Sequence, residues 1–253
     1  MVEVRDLTKS FGDNLVLDDI SLDVKIGENA VVFGRSGTGK SVLLKCIVKL
    51  LIPEAGEIIV NGRSVYSLKE KELNELRKEI GFLFQGSALY DSMTVKENLE
   101  FPLIRNKKEM SSKEREDKIQ EVLKAVDLEH AIDKMPAELS GGMKKRIGLA
   151  RTIITEPKLI LYDEPTTGLD PITVKEISEL IKELQKDLNV TSIIVTHDLL
   201  CAQIISDRAI VLRDGKIVYD GGLDNLTKSN DKFLKDFFTN ENIVAKNGSL
   251  NGK

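Results

Sequence analysis

The apolar residues of this chain are spaced with two different periods. Residues 20–26 alternate strictly between apolar and polar side chains, which predicts a half-buried strand. Apolar runs are typical of buried strands in a parallel sheet. Such runs lie within the segments 30–33, 80–84, 159–164 and 191–196, the third of which ends in two acids. Apolar residues three or four positions apart predict amphipathic helices, and these cover 42–48, 119–126, 143–154 and 171–188. Together the two patterns predict an α/β fold with a mainly parallel sheet.

Two further regions extend this core. Residues 1–33 read as strands, so we expect an N-terminal antiparallel β subdomain. Residues 86–136 contain no strong strand pattern, and a helical subdomain of about 86–156 is expected as an insertion between two halves of the core. Two dipeptides between apolar runs predict β-hairpins: Asn61-Gly62 and Asp214-Gly215. Two capping boxes predict helix starts: Ser67 with Glu70, and Ser111 with Glu114.

A glycine-rich loop joins the predicted strand at 30–33 to the next helix. It has the pattern G-x-x-x-x-G-K-S of a phosphate-binding loop and consists of Gly34, Arg35, Ser36, Gly37, Thr38, Gly39, Lys40 and Ser41. Its glycines let the backbone N–H groups point at a phosphate, and the helix N-terminus adds a positive partial charge. In such a loop the lysine reaches the β- and γ-phosphates and the serine hydroxyl can ligate Mg²⁺. The loop alone fits kinases, GTPases and many motor proteins.

Polar residues stand at the ends of two predicted core strands. Asp163 and Glu164 end one strand, and His197 follows the other. Ligands bind at the carboxyl ends of parallel strands. A solvated strand end is the simpler interpretation of the two acids, but buried carboxylates are costly without a partner such as a metal. A lone histidine is more often structural, yet this position favours a place in the site. The second histidine, His130, lies in a polar stretch and is expected to be solvated.

Three other features have both a structural and a functional interpretation. Asp170 before Pro171 predicts a helix cap, which leaves one face of the carboxylate for another role. Ser140 is a plausible cap of an earlier helix, where Gly141 and Gly142 either soften the first turn or let an anion approach the backbone. Phe11 lies at a predicted turn, where the simpler role is to cover the edge of a sheet.

Composition limits the classes of function. The chain has 253 residues, 41% hydrophobic and 31% charged, and its net charge of −4 gives no support to nucleic-acid binding. Its two cysteines, Cys46 and Cys201, lie in apolar surroundings and read as core residues in a reducing compartment. The charged first residues do not resemble a secretory signal, and no apolar run approaches the ~20 residues of a membrane span. We expect any membrane crossing to belong to another chain.

Taken in order, the motifs resemble the nucleotide-binding subunit of an ABC transporter over about residues 1–225. That resemblance implies a RecA-like P-loop NTPase core and leaves 226–253 as a C-terminal amphipathic stretch, with Phe233, Leu234, Phe237 and Phe238, and a mobile polar tail. The motifs that carry it are the phosphate-binding loop, Gln85 after a strand, Leu139-Ser140-Gly141-Gly142, the strand ending at Glu164, Gly168-Leu169-Asp170 and His197.

The resemblance implies an ATPase that uses ATP and Mg²⁺, with a role for each motif. Glu164 would polarise the attacking water and His197 would hold the γ-phosphate. Lys40 and Gln85 would also belong to the catalytic residues. The metal ligands are Ser41 and Gln85, with Asp163 bound through water. Phe11 would stack on adenine. Ser140, Gly141 and Gly142 would contact ATP bound to a second copy of the chain, with Asp170 across the dimer interface.

Three segments are similar to the Mla-type ATPases of Mce-protein phospholipid transport systems: residues 35–44, 84–95 and 140–146, the last with Met143 where the commonest form of the family has Gln. This similarity implies integral-membrane permease partners that dock on 86–102, and through them an Mce-type lipid-binding protein. It also implies a cytoplasmic chain, peripheral on the cytoplasmic face of the inner membrane.

Two alternatives remain open at this point. One is another transporter branch, for lipoprotein release or polar solutes, because the ATPase subunit does not meet the cargo. The other is an ABC ATPase of DNA repair or translation. Such proteins carry coiled coils, zinc modules or paired cassettes, none of which is apparent in this sequence.

Overall fold

Two β-sheets form the framework of the protein. The computed structural model describes residues 1–107 and 109–227. An antiparallel sheet with strand order β2-β1-β4-β5 is formed by Val2–Phe11 (β1), Asn14–Val24 (β2), Ala55–Val60 (β4) and Arg63–Ser64 (β5). A six-stranded sheet with order β10-β9-β3-β8-β7-β6 is formed by Asn29–Phe33 (β3), Ile80–Leu83 (β6), Leu159–Asp163 (β7), Thr191–Thr196 (β8), Arg208–Arg213 (β9) and Lys216–Gly221 (β10). Only β10 is antiparallel within this larger sheet, so the predicted fold class is confirmed.

The helices cover both faces of the larger sheet. They are Lys40–Ile47 (α1), Glu70–Lys78 (α2), Val95–Asn106 (α3), Ser112–Ala125 (α4), Gly141–Ile153 (α5), Pro171–Leu188 (α6), Leu199–Ile205 (α7) and Leu223–Thr227 (α8). One hydrophobic core lies between this sheet and α3 to α7. The other lies between the two sheets and encloses α1 and α2. Over the residues that the structure describes, none of these helices has the length and apolar character of a membrane span.

Strand register places the predicted site residues at one edge of the larger sheet. Phe33 lies opposite Thr196, and Asp163 lies opposite Val195. Leu83 lies opposite Tyr162, one residue before Asp163. The carboxyl ends of β3, β6, β7 and β8 therefore meet, and the segments that follow them lie side by side.

Most of the predicted element ends are found in the structure. The Ser140 and Asp170 side chains accept hydrogen bonds from the first backbone N–H groups of α5 and α6. Ser111 and Glu114 form the predicted capping box of α4. The two predicted hairpins are β4–β5 and β9–β10.

Two predicted boundaries are wrong. The Ser67–Glu70 capping box does not form, because α2 begins at Glu70 and the Glu72 carboxylate accepts from the N–H of Lys69 instead. Strand β6 ends at Leu83, and Phe84, placed in the buried strand by its apolar character, is 37% exposed. The local sequence pattern predicted that each element is present, but tertiary contacts determine the residue at which it begins or ends.

The expected domain boundary near residue 225 falls inside a helix. Leu226 in α8 is buried in the core, and α8 contacts β9 and β10, so packed structure continues at least to that residue. The amphipathic stretch at 233–238 and the polar tail lie outside the described residues.

Candidate active site

The phosphate-binding loop connects β3 to α1 in a tight curl. Gly39 has a φ of +97°, and a Cβ there would lie 2.8 Å from Leu17 Cδ2 and 2.9 Å from the Val16 carbonyl oxygen. Only glycine meets both demands. Thr38 closes the loop, since its N–H and its hydroxyl both donate to the Arg35 carbonyl, at 3.2 and 2.9 Å. The loop amides are thereby gathered at the N-terminus of α1, which favours an anion.

Phe11 is carried to the neighbourhood of this loop by the antiparallel sheet. It is the last residue of β1, where it pairs with Asn14 of β2. Strand β2 is also the strand whose Val16 and Leu17 pack on Gly39. The Phe11 ring is 48% exposed, with the Lys9 ammonium 5.1 Å from its centre. An exposed aromatic ring can stack on a purine base.

Ser41 and Asp163 form a direct contact between α1 and the end of β7. The Ser41 hydroxyl donates to Asp163 Oδ1 over 2.6 Å, and Asp163 is only 6% exposed. A hydroxyl and a carboxylate are the hard oxygen ligands that Mg²⁺ prefers. The donor set therefore fits the metal that the sequence predicts.

Glu164 is the most constrained acid of the site. Its φ is +52°, uncommon for a residue other than glycine. Its N–H donates to the Val195 carbonyl over 2.9 Å, and its carbonyl accepts from Thr167 N–H over 3.3 Å. These contacts turn the carboxylate back toward the phosphate-binding loop, where Oε1 lies 3.5 Å from Lys40 Nζ.

The second carboxylate oxygen of Glu164 is held by the segment after β8. Oε2 lies 2.8 Å from His197 Nδ1 and 3.2 Å from the Thr167 hydroxyl. Burial raises the pKa of Glu164, but the hydrogen bond and charge of His197, with Lys40 and Thr167, outweigh it and hold the pKa below its ordinary value. A buried but ionised carboxylate is suited to polarising a water molecule.

Within the described part of the chain, the ammonium of Lys40 has three oxygen neighbours. Besides Glu164, its ammonium donates to the carbonyls of Gly34 over 2.7 Å and Arg35 over 3.2 Å. The side chain is only 5% exposed. It thus holds a positive charge inside the curl of the loop.

Beside these groups, Gln85 contacts Lys145, a residue that was not predicted to belong to the site. Gln85 is exposed, and its main-chain carbonyl accepts a hydrogen bond from the buried ammonium of Lys145 in α5. The same ammonium donates to the Glu164 carbonyl over 3.4 Å. A glycine inside a helix often marks a close approach between two segments. Gly148, one turn after Lys145 in α5, is such a glycine, and a Cβ there would lie 3.0 Å from Ser87 Cβ. This glycine could have indicated from the sequence that α5 packs closely at the site.

Ser140, Gly141 and Gly142 lie beside the turn that carries Asp170. A Cβ on Gly141 would touch Leu169 Cδ2 at 3.6 Å, and one on Gly142 would lie 2.9 Å from Thr173 Cγ2. The carboxylate of Asp170 caps α6 through two backbone N–H groups and also accepts the Thr173 hydroxyl over 2.5 Å. Among the described residues, none of the contacts found for these glycines involves the phosphate-binding loop of the same chain.

The arrangement of these residues defines a class of protein. A phosphate-binding loop, a serine–aspartate pair and a buried carboxylate at the edge of a parallel sheet form the site of a P-loop nucleoside triphosphatase. The sequence predicted that Lys40, Ser41, Asp163, Glu164 and His197 lie at one site. The structure pairs Ser41 with Asp163, and it pairs Glu164 with both Lys40 and His197.

Comparison with known proteins names the family. The chain belongs to the ABC transporter family, because the family model described as ABC transporter matches residues 17–167. It is an ATPase subunit of that family. A probable ribonucleotide transport ATP-binding protein, Mkl of Mycobacterium leprae, is 40% identical over 242 residues, 96% of this chain and 70% of that protein.

Other relatives have different named cargoes. The intermembrane phospholipid transport system ATP-binding protein MlaF of Haemophilus influenzae is 40% identical over 241 residues, 95% of this chain and 91% of its own. The methionine import ATP-binding protein MetN of Campylobacter jejuni is 36% identical over 263 aligned residues, which cover 98% of this chain and 78% of MetN.

Solved structures agree on the fold. The ATP-binding cassette MJ0796, in a dimeric post-hydrolysis state bound to ADP and Pi, matches with a TM-score of 0.80 and 35% identity, covering 88% of this chain and 99% of that one. CbiO1 of Clostridium perfringens, part of the ABC transporter complex CbiONQ, matches with a TM-score of 0.83 and 30% identity, over 98% and 97% of the two chains.

Proposed function

We propose that this chain hydrolyses ATP with Mg²⁺ at the edge of the larger sheet and uses the energy to drive phospholipid transport between bacterial membranes. The observation that carries the catalytic part is the Glu164 carboxylate. It is buried and ionised, and it lies between Lys40 at 3.5 Å and His197 at 2.8 Å.

The residues of the chain divide the work as follows. Lys40 and the amides of 34–41 bind and orient the phosphates, and Phe11 stacks on the adenine. Glu164 polarises the water that attacks the γ-phosphate, while His197 orients that carboxylate and contacts the γ-phosphate. Positioned charge of this kind is the main source of catalysis in phosphoryl transfer.

Ser41, Asp163 and Gln85 would hold the Mg²⁺ ion. The first two already share a hydrogen bond of 2.6 Å, and Gln85 lies on the adjacent loop. When bound, the ion supplies positive charge to the phosphate oxygens. The Ser41→Ala variant should weaken binding of the MgATP complex more than binding of metal-free ATP, as measured by equilibrium titration with and without Mg²⁺.

A second copy of the chain is proposed to complete the site. Ser140, Gly141 and Gly142 form the N-terminus of α5 beside the Asp170 turn, and the neighbours found for the two glycines belong to that turn and to α6. Backbone N–H groups at a helix start favour a phosphate. These groups would therefore contact ATP held by the partner copy, as expected from the dimeric state of the MJ0796 cassette.

The lipid assignment is supported by MlaF, which is matched at 40% identity over 91% of its length. It is also supported by Met143, at the position where the sequence resembles the Mla branch. A polar-solute importer remains the second candidate, because MetN is 36% identical over 98% of this chain.

The segment 86–102 is proposed as the surface that binds the permease. It has a fixed shape, because the buried amide of Asn98 accepts from Tyr90 N–H over 2.8 Å and donates to the carbonyls of Tyr90 and Met93. Aromatic rings remain exposed at its edge, Phe84 at 37% and Tyr90 at 40%. The Arg151 guanidinium lies 4.6 Å from the Tyr90 ring. A preorganised aromatic surface suits an apolar partner helix.

We further propose that the permease holds this chain on the cytoplasmic face of the inner membrane and links it to an Mce-type lipid-binding protein. Swapping 86–102 for the same segment of an amino-acid importer should abolish co-purification with the permease. Unchanged binding would count against this docking surface.

Transport assays would test the cargo. The chain is reconstituted in liposomes with the permease that co-purifies with it, and transfer of fluorescent phospholipid is compared with uptake of methionine and of a ribonucleotide. Lipid transfer that needs ATP and is lost in the Lys40→Ala variant is expected. Uptake of methionine or ribonucleotide without lipid transfer would overturn the lipid assignment and leave the ATPase assignment intact.

A further inference from the structure

Lys145 is a buried cation to which the proposed mechanism gives no role. It lies in the second turn of α5 and is only 5% exposed. Its ammonium donates to two main-chain carbonyls, those of Gln85 and Glu164. Within residues 1–107 and 109–227 it forms no ion pair with a carboxylate, although the charges of Asp163 and Glu164 partly offset the effect of burial, which lowers the pKa of this lysine.

A side chain chosen for packing alone would not be a lysine. Moving an ammonium out of water costs several kcal/mol unless hydrogen bonds and charges compensate it, and two carbonyl dipoles compensate only part. An apolar side chain of similar length, such as methionine, would fill the same space without that cost. The positive charge therefore serves something other than filling the core.

The two acceptors belong to separate segments of the site. Gln85 follows β6, and Glu164 follows β7, the neighbouring strand in the sheet. The donor belongs to a third segment, α5, whose first turn holds Ser140 and the two glycines. One ammonium thus joins three segments that are far apart in sequence.

The contact acts on the peptide that sets the direction of the Glu164 side chain. The Glu164 carbonyl accepts from Lys145 and from Thr167 N–H, at 3.4 and 3.3 Å. The φ of Glu164 is +52°, which is uncommon for a glutamate. The backbone at Glu164 therefore depends on its hydrogen bonds to keep this conformation. Without the Lys145 bond this carbonyl would be held less tightly, and a shift of the peptide would move the carboxylate.

We infer that Lys145 is a positioning residue for hydrolysis: its ammonium holds the Glu164 peptide against the Gln85 loop and so fixes the direction of the Glu164 carboxylate. The inference rests on the proposed function, in which that carboxylate polarises the attacking water. Displacement of a reacting group by about 1 Å can cost on the order of a hundredfold in rate, so the effect falls on turnover and not on nucleotide affinity.

Three variants test it in the full-length chain. Lys145→Met removes the charge at similar length, and Lys145→Arg keeps both charge and donor. Lys144→Met is the matched control, since Lys144 is half-buried on the same helix and no hydrogen bond of its side chain is found among the described residues. For each variant, kcat, the Kd for MgATP and the thermal unfolding midpoint are measured.

We expect Lys145→Met to lower kcat by about tenfold or more, with the Kd for MgATP changed less than about twofold. Lys145→Arg should restore most of the lost rate, and Lys144→Met should match the wild-type chain. If Lys145→Met fails to fold, Lys145→Leu, which also removes the donor, is measured in its place, with the same loss of kcat expected.

Other outcomes would overturn the inference. A Lys145→Met chain with wild-type kcat would show that the contact does not position Glu164, while the proposed function would stand. Parallel losses in kcat, affinity and unfolding midpoint would indicate a structural role only. A wild-type chain that binds MgATP but never hydrolyses it would refute the proposed function itself.

Discussion

The imidazole Nδ1 of His197 lies 2.8 Å from Oε2 of Glu164, and this contact joins the ends of two adjacent parallel strands. The other oxygen of the same carboxylate faces Lys40. Glu164 is therefore oriented from both sides by groups that a charged carboxylate favours, which keeps it ionised in a buried position. An oriented, ionised acid next to a phosphate-binding loop is the feature on which the hydrolytic mechanism depends.

Replacing Glu164 with Gln should abolish hydrolysis and spare ATP binding. The amide keeps the shape of the side chain but cannot act as a base, and loss of a general base costs about 10²–10⁴-fold in rate. Phosphate release and the Kd for ATP would be measured together. Size-exclusion chromatography with ATP should also show a trapped dimer.

The matched control is Glu179→Gln, which changes the same functional group on the exposed face of α6, where Glu179 pairs with Lys175. It should turn over ATP at the wild-type rate. Normal turnover by the Glu164→Gln chain would rule out the water-activating role.

Glu164 and its neighbours show which parts of the site could be predicted from the sequence and which could not. Hydrophobic periods predicted β7 and β8, and the rule that ligands bind at strand ends placed Glu164 and His197 together. The left-handed backbone of Glu164 was not predictable, because nothing in the local sequence distinguishes it from an extended glutamate. The same holds for Lys145, whose acceptors lie 60 and 19 positions away.

Errors in the predicted elements have a related origin. The start of α2 was placed by a local serine–glutamate pair, whereas the helix uses Glu72 as its capping partner. Capping chemistry is local, but several polar residues near 67–72 could supply it. Packing of Leu73 and Leu76 on the core decides among them.

Two explanations of Gly142 can be separated by mutation: close packing against α6 and contact with nucleotide. A Cβ there would lie 2.9 Å from Thr173 Cγ2, and Thr173 cannot turn away freely because its hydroxyl donates to Asp170. We expect Gly142→Ala to destabilise the fold by about 1 kcal/mol through overpacking, net of the gain in helix propensity. Urea unfolding would measure it.

The Thr173→Ser change removes the clashing methyl and keeps the hydroxyl. The Gly142→Ala/Thr173→Ser double variant should therefore recover the lost stability. If ATPase activity stays low in this stable double variant, Gly142 also contacts nucleotide, as proposed. If activity returns with stability, packing against α6 is the whole reason for the glycine.

Hydrolysis should require two copies that each supply half of a site. A Lys40→Ala chain lacks a working phosphate loop, and a Ser140→Arg chain lacks a working α5 start. Each alone should be inactive, and both should fold. In a 1:1 mixture, about half of the dimers contain one chain of each variant. Each mixed dimer has two sites, of which one combines the intact phosphate loop with the intact start of α5. About a quarter of the wild-type activity is therefore expected.

The measurement is phosphate release by the mixture over a range of protein concentrations, with the two single variants run alongside. Wild-type specific activity should itself rise with concentration. A mixture as inactive as its components, or wild-type activity independent of concentration, would contradict the composite site.

Glu156 gives a prediction about stability and pH. It follows α5 and accepts from Lys118 of α4 at 2.7 Å and from Lys107 at 2.9 Å, so it ties together the helices of the inserted region. The hydrogen bonds of these two lysines lower the pKa of Glu156 from 4.5 to about 2. Because the folded state favours the ionised form, the contribution is complete above pH 4.5 and is lost as the pH falls toward 2.

The side chain is 54% exposed, so screening by solvent reduces the expected contribution to about 1 kcal/mol or less. Glu156→Gln should therefore lower the urea midpoint at pH 7, and its difference from the wild-type chain should shrink as the pH falls below about 4.5. Glu121→Gln is the control, since among the described residues Glu121 pairs with Lys118 alone and is 65% exposed, and its effect should be smaller at every pH. A Glu156→Gln difference that stays constant or grows on acidification would show that the ion pairs do not hold these helices together.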